Sequence, residues 1–216
     1  MKAYVFYTNS ILDCFELLRK STEQLNDLEI VPILGGTDLT ENLAGATHRQ
    51  DYMKLMLSRW LTLPDIIRDN IGNNILFIDA DIVFNKHNKS FVKNIEMFLE
   101  DHDIVTQYDT NSGMSANINM GFLGIKCNEK NLNMFSRFMK IISSIEKPNP
   151  GYPQIEFNDY LKYYNNKEPT KYKILPQEYG YLTPNSYFYH AVNCGGNESK
   201  IAAMKNALSV FDKSNH

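Results

Sequence analysis

Cysteine is scarce in this 216-residue chain, and its distribution excludes two kinds of scaffold. The three thiols, Cys14, Cys127 and Cys194, are odd in number, widely spaced and form no CxxC pair. Neither a disulfide framework nor a zinc site is indicated, and a reducing compartment is the simpler setting. Positive charge is not in excess either. The formal net charge of −3 gives no general attraction to nucleic acid or to an anionic membrane, so any phosphate binding has to come from a local site. Long apolar runs are also missing. MKAYVFYTNS at the N-terminus carries one Lys and a short apolar run before turning polar, too short for a signal peptide or a membrane anchor. The expectation is a soluble, cytoplasmic protein without a membrane anchor. No internal repeat, low-complexity tract or long linker divides it.

What is present reads as one α/β domain over residues 1–216, with 43% hydrophobic and 22% charged residues, the ordinary balance of a globular protein. Ala3 to Tyr7 predicts a buried strand ended by Thr8-Asn9-Ser10. Ile11 to Leu25 carries apolar residues at helical spacing, and Glu29 to Leu34 predicts a second strand closed by Gly35-Gly36. Strand, helix, strand in that order favours a mostly parallel sheet flanked by helices, with a small antiparallel part towards the C-terminal half. A long helical pattern from Thr47 to Ile67 breaks near Pro64. Asn74 to Phe84 then predicts one strand, Ser90 to Glu100 a helix, and Asp103 to Gln107 and Met120 to Ile125 two more strands. A helix over about 131–145, a Pro-rich loop at 147–153, a short helix from about Ile155 and a last helix from Ser199 to Phe211 complete the pattern.

The strongest chemical signal is the pair Asp79 and Asp81, set in the otherwise apolar run Ile75 to Phe84. Two unpaired carboxylates inside a strand would cost several kcal/mol. They are tolerable at the strand's C-terminal end, where open α/β sheets bind ligands. Acids one residue apart point to the same side of an extended chain and together can chelate one hard divalent cation, Mn²⁺ or Mg²⁺, that bridges diphosphate oxygens. The plainer alternative is a pair of aspartates that caps a following turn.

The run resembles the DxD strand of glycosyltransferases with the GT-A fold, and further matches follow in the order that fold requires. Tyr52-Met53-Lys54-Leu55 is similar to the Tyr-x-Arg/Lys-Leu helix whose cation faces the donor in retaining members. Asn119-Met120-Gly121-Phe122 resembles the Asn-x-Gly-Phe stretch that lines the donor-sugar pocket. Gln154-Ile155-Glu156-Phe157-Asn158 is similar to the Asp-Gln-x-x-Leu/Phe-Asn element below the reactive sugar carbon. His190, followed by Gly195, Gly196 and Lys200, looks like the His-x-x-Gly-x-x-Lys element, in which the His is the third metal ligand and the Lys contacts phosphate. Two departures stand out: Pro153 takes the place of the Asp before Gln154, and the spacing from His190 to Lys200 is longer than usual.

The chain most resembles the nucleotide-diphospho-sugar transferase group, and its layout is similar to the N-terminal glycosyltransferase domain of multidomain proteins from large algal DNA viruses. The resemblance implies a nucleotide-binding half to about residue 107 and an acceptor and sugar half over about 108–216. It implies a nucleotide-sugar donor, UDP-linked, a glycan or glycoprotein acceptor, no nucleic acid, and a place in a longer multidomain chain. The metal ligands it implies are Asp79, Asp81 and His190. Thr8, Asn9, Ser10, Lys54, Asp79, Ala80, Gly121, Gly196 and Lys200 would hold the donor. Asn119, Gln154 and Glu156 would face the reaction, which the motifs associate with retention, while Glu156 and Asp159 keep a carboxylate base for inversion available.

Several residues have plain structural readings as well. Thr8, Asn9 and Ser10 are good helix caps, and Gly195-Gly196 makes an ordinary turn. Arg49 and Arg59 compete with Lys54 as the cation of their helix. His48, His87 and His102 read as surface residues, and His216 is terminal. The aromatics between Tyr172 and Tyr189 are either a sugar platform or core. A nucleotidyltransferase would be expected to carry a glycine-rich loop where Thr8-Asn9-Ser10 stands. That rival and a non-catalytic nucleotide- or glycan-binding module are the alternatives.

Overall fold

The computed structural model describes residues 1–35, 50–108, 118–145, 153–164, 169–192 and 194–213, the side chains of 50–53 excepted. Gly36, His48, Arg49, His216, the helix start at Thr47, the Tyr52 side chain and the loop at 147–152 therefore lie outside the described residues. Among the described residues no helix is long and apolar enough to cross a membrane.

The strands are β1 (Lys2–Tyr7), β2 (Glu29–Leu34), β3 (Asn74–Asp79), β4 (Ile82–Phe84), β5 (Ile104–Tyr108), β6 (Ile118–Lys126), β7 (Tyr172–Ile174), β8 (Tyr179–Gly180) and β9 (Phe188–His190). The helices are α1 (Leu12–Thr22), α2 (Gln50–Leu61), α3 (Leu63–Asp69), α4 (Phe91–Asp101), α5 (Glu129–Ser143), α6 (Gln154–Tyr164) and α7 (Asn197–Lys213). Six strands form the main sheet in the order β2-β1-β3-β6-β5-β7. Both neighbours of β6 pair with it antiparallel, whereas β1 pairs with β2 and β3, and β5 with β7, in parallel. Five strands thus run one way and β6 alone runs back, the mostly parallel sheet expected from the strand–helix–strand pattern.

Period-two alternation on β3 explains the layering. Ile75 and Phe77 join the core beneath α2, α3, α5 and α6, with Trp60, Leu63, Phe135, Phe138 and Phe157. Leu76 and Ile78 face the other core, with Phe15, Leu18, Phe91, Ile95 and Leu99 of α1 and α4. On α4 the buried residues Phe91, Ile95 and Leu99 fall at i, i+4 and i+8, so one stripe covers the sheet. Helix α5 starts where the Asn128 side chain accepts the Asn131 N–H at 2.8 Å.

The expected single strand from Asn74 to Phe84 is two strands in two sheets. The chain turns at Ala80-Asp81, and β4 continues in a three-stranded sheet ordered β4-β9-β8. Both sides of the turn are apolar and buried, so hydrophobic pattern alone does not reveal it. The aromatics of residues 172–189 contain three strands of only two or three residues, shorter than any period can signal. Two of them are core, Tyr187 and Tyr189 pack against it, and Tyr172 is exposed. Tyr179 and Phe188 are buried, Tyr179 stacks on Tyr187, and Phe188 stacks on Phe122 with centroids 4.5 Å apart. Burial pushes the Cys14 thiol up to about 11 and the Cys127 thiol up to about 12, and all three cysteines are free.

The Phe122–Phe188 stack joins the two sheets two residues before His190. Phe188→Ala should lower stability by about 3–5 kcal/mol in urea unfolding, as for other fully buried aromatics. A loss below about 1 kcal/mol would contradict this joint.

Candidate active site

Because β6 runs against its neighbours, its first residues lie at the sheet edge where β1, β3 and β5 end. Asp79 closes β3 opposite Phe6 of β1, so Thr8, Asn9 and Ser10 emerge two residues further along the same edge. Pairing of β5 with β6 jumps from Thr106↔Leu123 to Gln107↔Asn119, so Met120, Gly121 and Phe122 form a bulge. The Thr106 hydroxyl pins it by donating to the Asn119 carbonyl at 2.9 Å. From α6, Gln154 Oε1 accepts the Met120 N–H at 2.9 Å, and Asn158 bonds both backbone groups of Ile118 at 3.2 Å.

His190 arrives from the small sheet, where it pairs with Ile82. The Ala191 N–H donates to the Asp81 carbonyl at 2.9 Å and fastens the turn to the strand bearing the imidazole. Asp79, Asp81 and His190 thereby offer ligand atoms that all lie within 4.8 Å of one another. His190 Nε2 is 3.2 Å from Asp81 Oδ1 and 3.6 Å from Asp79 Oδ2. The acids do not converge by strand alternation, as an extended chain would have them. They converge because the chain turns between them.

Exposure gives the cluster a direction. The side chains of His190 and Asp81 are 2% and 9% exposed, while Asp79 is 31% exposed and forms the open wall. Gly121 sits against Asp79 and His190, and a Cβ there would collide with both and with Asn119. Asn119 Oδ1 accepts the Gly121 N–H at 2.8 Å, which holds the bulge in shape.

Burial works against both carboxylates, and local cations outweigh it. The Arg59 guanidinium, reinforced by the hydrogen bond to His190, holds Asp79 below the ordinary carboxylate value. The Lys200 ammonium, 2.6 Å from Asp81 Oδ2, and the His190 charge hold Asp81 well below that range. For His190 burial disfavours the charged ring, but Asp81 and then Asp79 prevail and raise it to about 9. Three cations thus face two carboxylates at neutral pH.

The expected site residues are brought together to different degrees. Asp79, Asp81, His190 and Lys200 are in direct contact, with Gly121 and Asn119 beside them. Ala80 is the buried middle of the turn. Thr8 does not cap a helix with its side chain; its hydroxyl lies 2.8 Å from that of Ser10, and Asn9 is exposed. Gly196, at φ +143°, precedes α7, whose Asn197 donates to the Ser10 carbonyl at 2.5 Å and so brings Lys200 to this edge. Gln154 is anchored on the bulge, Glu156 is half-buried on the first turn of α6, and Asp159 is exposed beside Lys162. Pro153 is the residue from which α6 starts, its carbonyl accepting the Phe157 N–H.

On α2 the cation paired with Asp79 is Arg59, and Lys54 is exposed. Arg59 is buried between the Trp60 and Phe77 rings at 4.8 and 4.9 Å, with Nε and one terminal nitrogen lacking a hydrogen-bond partner among the described residues. A positive charge four residues after Leu55 and four before Leu63, on the apolar stripe of the helix, was the available signal. Gln107, whose Oε1 lies 2.9 Å from His190 Nδ1, had no signal in the sequence beyond its place at a strand end.

The family model described as nucleotide-diphospho-sugar transferase matches residues 30–209. No curated protein sequence matches the chain significantly. Solved structures similar in fold include a glycosyltransferase involved in the glycosylation of the major capsid of PBCV-1, at 14% identity and TM-score 0.63, covering 94% of this chain and 98% of that one. The glycosyltransferase GlyE of Streptococcus pneumoniae TIGR4 matches at 12% identity and TM-score 0.60, covering 99% of this chain and 63% of its own. The galactosyltransferase LgtC matches at 10% identity and TM-score 0.57, covering 99% and 96%. At these identities the likeness establishes the fold, which is that of the GT-A glycosyltransferases.

His190 also makes stability pH-dependent. Its folded value is raised from 6.5 to about 9, so its contribution is complete below pH 6.5 and disappears as pH rises through 9. The loss amounts to roughly 3 kcal/mol. Urea unfolding in chelator across this window should show a falling midpoint that His190→Gln flattens; equal slopes for both proteins would contradict the cluster's charge balance.

Proposed function

The chain belongs to the nucleotide-diphospho-sugar transferase family, and from that premise we propose that it moves a sugar from a UDP-linked donor to a hydroxyl of a glycan or glycoprotein acceptor, using a divalent cation held by Asp79, Asp81 and His190. The observation that carries this reading is the convergence of two carboxylates and one imidazole within 4.8 Å, flanked by Lys200 and Arg59. The donor set fits the group: two hard oxygen donors suit Mg²⁺ or Mn²⁺, and the imidazole favours Mn²⁺. The missing side chain at Gly121 lets Asp79 and His190 pack directly against the bulge.

When bound, such a cation supplies positive charge to the diphosphate oxygens and stabilises the nucleotide as it leaves. The protein's own groups do the rest. Asp79 and Asp81 are kept ionised, and His190 offers Nε2 once it releases its proton. Lys200, now on Asp81, carries a charge that the diphosphate can share. Thr8, Asn9, Ser10 and Gly196 mark the edge assigned to the nucleotide, with Lys54 an exposed cation further along α2. Asn119 and Gln154 line the bulge on the sugar side. We assign retention to the transfer, with the leaving phosphate accepting the acceptor's proton. Glu156, on the first turn of α6, is the carboxylate assigned to that side.

The two aspartates differ as test positions. Removing Asp79 strands the buried Arg59, a change that costs about 3–5 kcal/mol. Asp81 is the cleaner target, because Lys200 is 27% exposed and can turn to water, while His190 keeps Asp79 and can release its proton. With a panel of nucleotide sugars, UDP release from one donor should require Mn²⁺ or Mg²⁺ and stop with chelator. Asp81→Asn should lower it by about 100-fold or more at an unchanged fold. Undiminished, chelator-resistant release by Asp81→Asn would overturn the assignment.

A further inference from the structure

Resting on the reading of Asp79, Asp81 and His190 as a cation site, the structure assigns Gln107 as its positioning residue: Gln107 fixes the tautomer and ring plane of His190, and Gly180 holds Gln107 in place. Gln107 lies near the end of β5, at the register jump that lifts the Asn119–Phe122 bulge. It is 3% exposed, an unusual burial for an amide at the open edge of a sheet. Its Oε1 is 2.9 Å from His190 Nδ1, across 83 residues of chain.

An amide oxygen accepts and cannot donate. With Oε1 on Nδ1, the Nδ1 nitrogen must carry hydrogen, and the lone pair of the neutral ring is left on Nε2, the nitrogen that faces Asp81 and Asp79. The opposite tautomer would present an N–H to the same position and could not ligate a cation. The choice of an amide has a further consequence. A carboxylate in this place would add a third negative charge to a buried pair that already depends on Arg59 and Lys200. Glutamine sets the same hydrogen bond without that charge.

The amide is held from behind as well. Gly180 of β8 has φ +119°, and a Cβ there would collide with Nε2, Cδ and Cγ of Gln107. Gly180 pairs with Tyr189, the residue before His190. The wall that backs the amide and the strand that carries the imidazole are therefore neighbours in one sheet, so the distance between the two side chains is set by backbone pairing.

The test is Mn²⁺ binding in the presence of UDP, read by electron paramagnetic resonance. Free aquo-Mn²⁺ gives the affinity, and electron spin-echo modulation from a directly bound imidazole nitrogen reports whether His190 is a ligand. Gln107→Met keeps the chain length and removes the acceptor; it should weaken Mn²⁺ by about tenfold or more and lose the nitrogen modulation. Gln107→Glu, which keeps an acceptor oxygen, should retain both, and Gly180→Ala should reproduce the Met variant. Thermal melts identify any variant that fails to fold; if Gln107→Met does, Gly180→Ala carries the test, and the reverse. Retained affinity and modulation in Gln107→Met, or a Gln107→Glu variant as defective as Met, would overturn the assignment. Wild-type protein that binds no Mn²⁺, or binds it without nitrogen modulation, overturns the cation site itself and this assignment with it, and does so before any substitution is made.

Discussion

Two carboxylates packed together at one edge of a sheet, Asp81 buried and Asp79 partly open, are stable only if positive charge is delivered to them, and this requirement organises the structure. Each aspartate has its own cation from a different part of the chain, Arg59 from α2 for Asp79 and Lys200 from α7 for Asp81. His190 serves both. Desolvation alone would push both carboxyls up. The cations reverse that direction and hold both acids below the ordinary carboxylate value.

Topology delivers these groups without long-range coincidence. The reversed strand β6 brings Asn119 and Gly121 to the edge where β3 ends. The turn at Ala80-Asp81 passes the chain into a second sheet, and that sheet returns His190 alongside Asp81. The Asn197–Ser10 bond ties the start of α7 to the segment after β1, so Lys200 approaches from the side where a nucleotide would lie. Gly121 contributes by lacking a side chain, since any Cβ would occupy the space between the imidazole and the open carboxylate.

Asp79 and Asp81 were legible because two charges inside an apolar run are conspicuous whatever the fold. The parallel sheet was legible from strand, helix, strand order. His190 was not legible from its own surroundings; it emerged only as a third partner for the acids within a family resemblance. The turn between β3 and β4 was hidden because Ile78 and Ile82 are equally buried on either side of it. Arg59 was hidden among several cations on one helix, where only burial on the Trp60 face distinguishes it from exposed Lys54. Gln107 depends on a pairing of residues 83 apart in sequence, which no local pattern records.

Exchange of the protein cations around Asp79, Asp81 and His190 for a metal and a diphosphate can be seen by anomalous diffraction from crystals grown with Mn²⁺ and UDP. The expected result is a manganese peak bounded by Asp79, Asp81 and His190 Nε2, with diphosphate oxygens on it and Lys200 turned towards them. A peak elsewhere, with Lys200 still on Asp81 and Arg59 on Asp79, would contradict it.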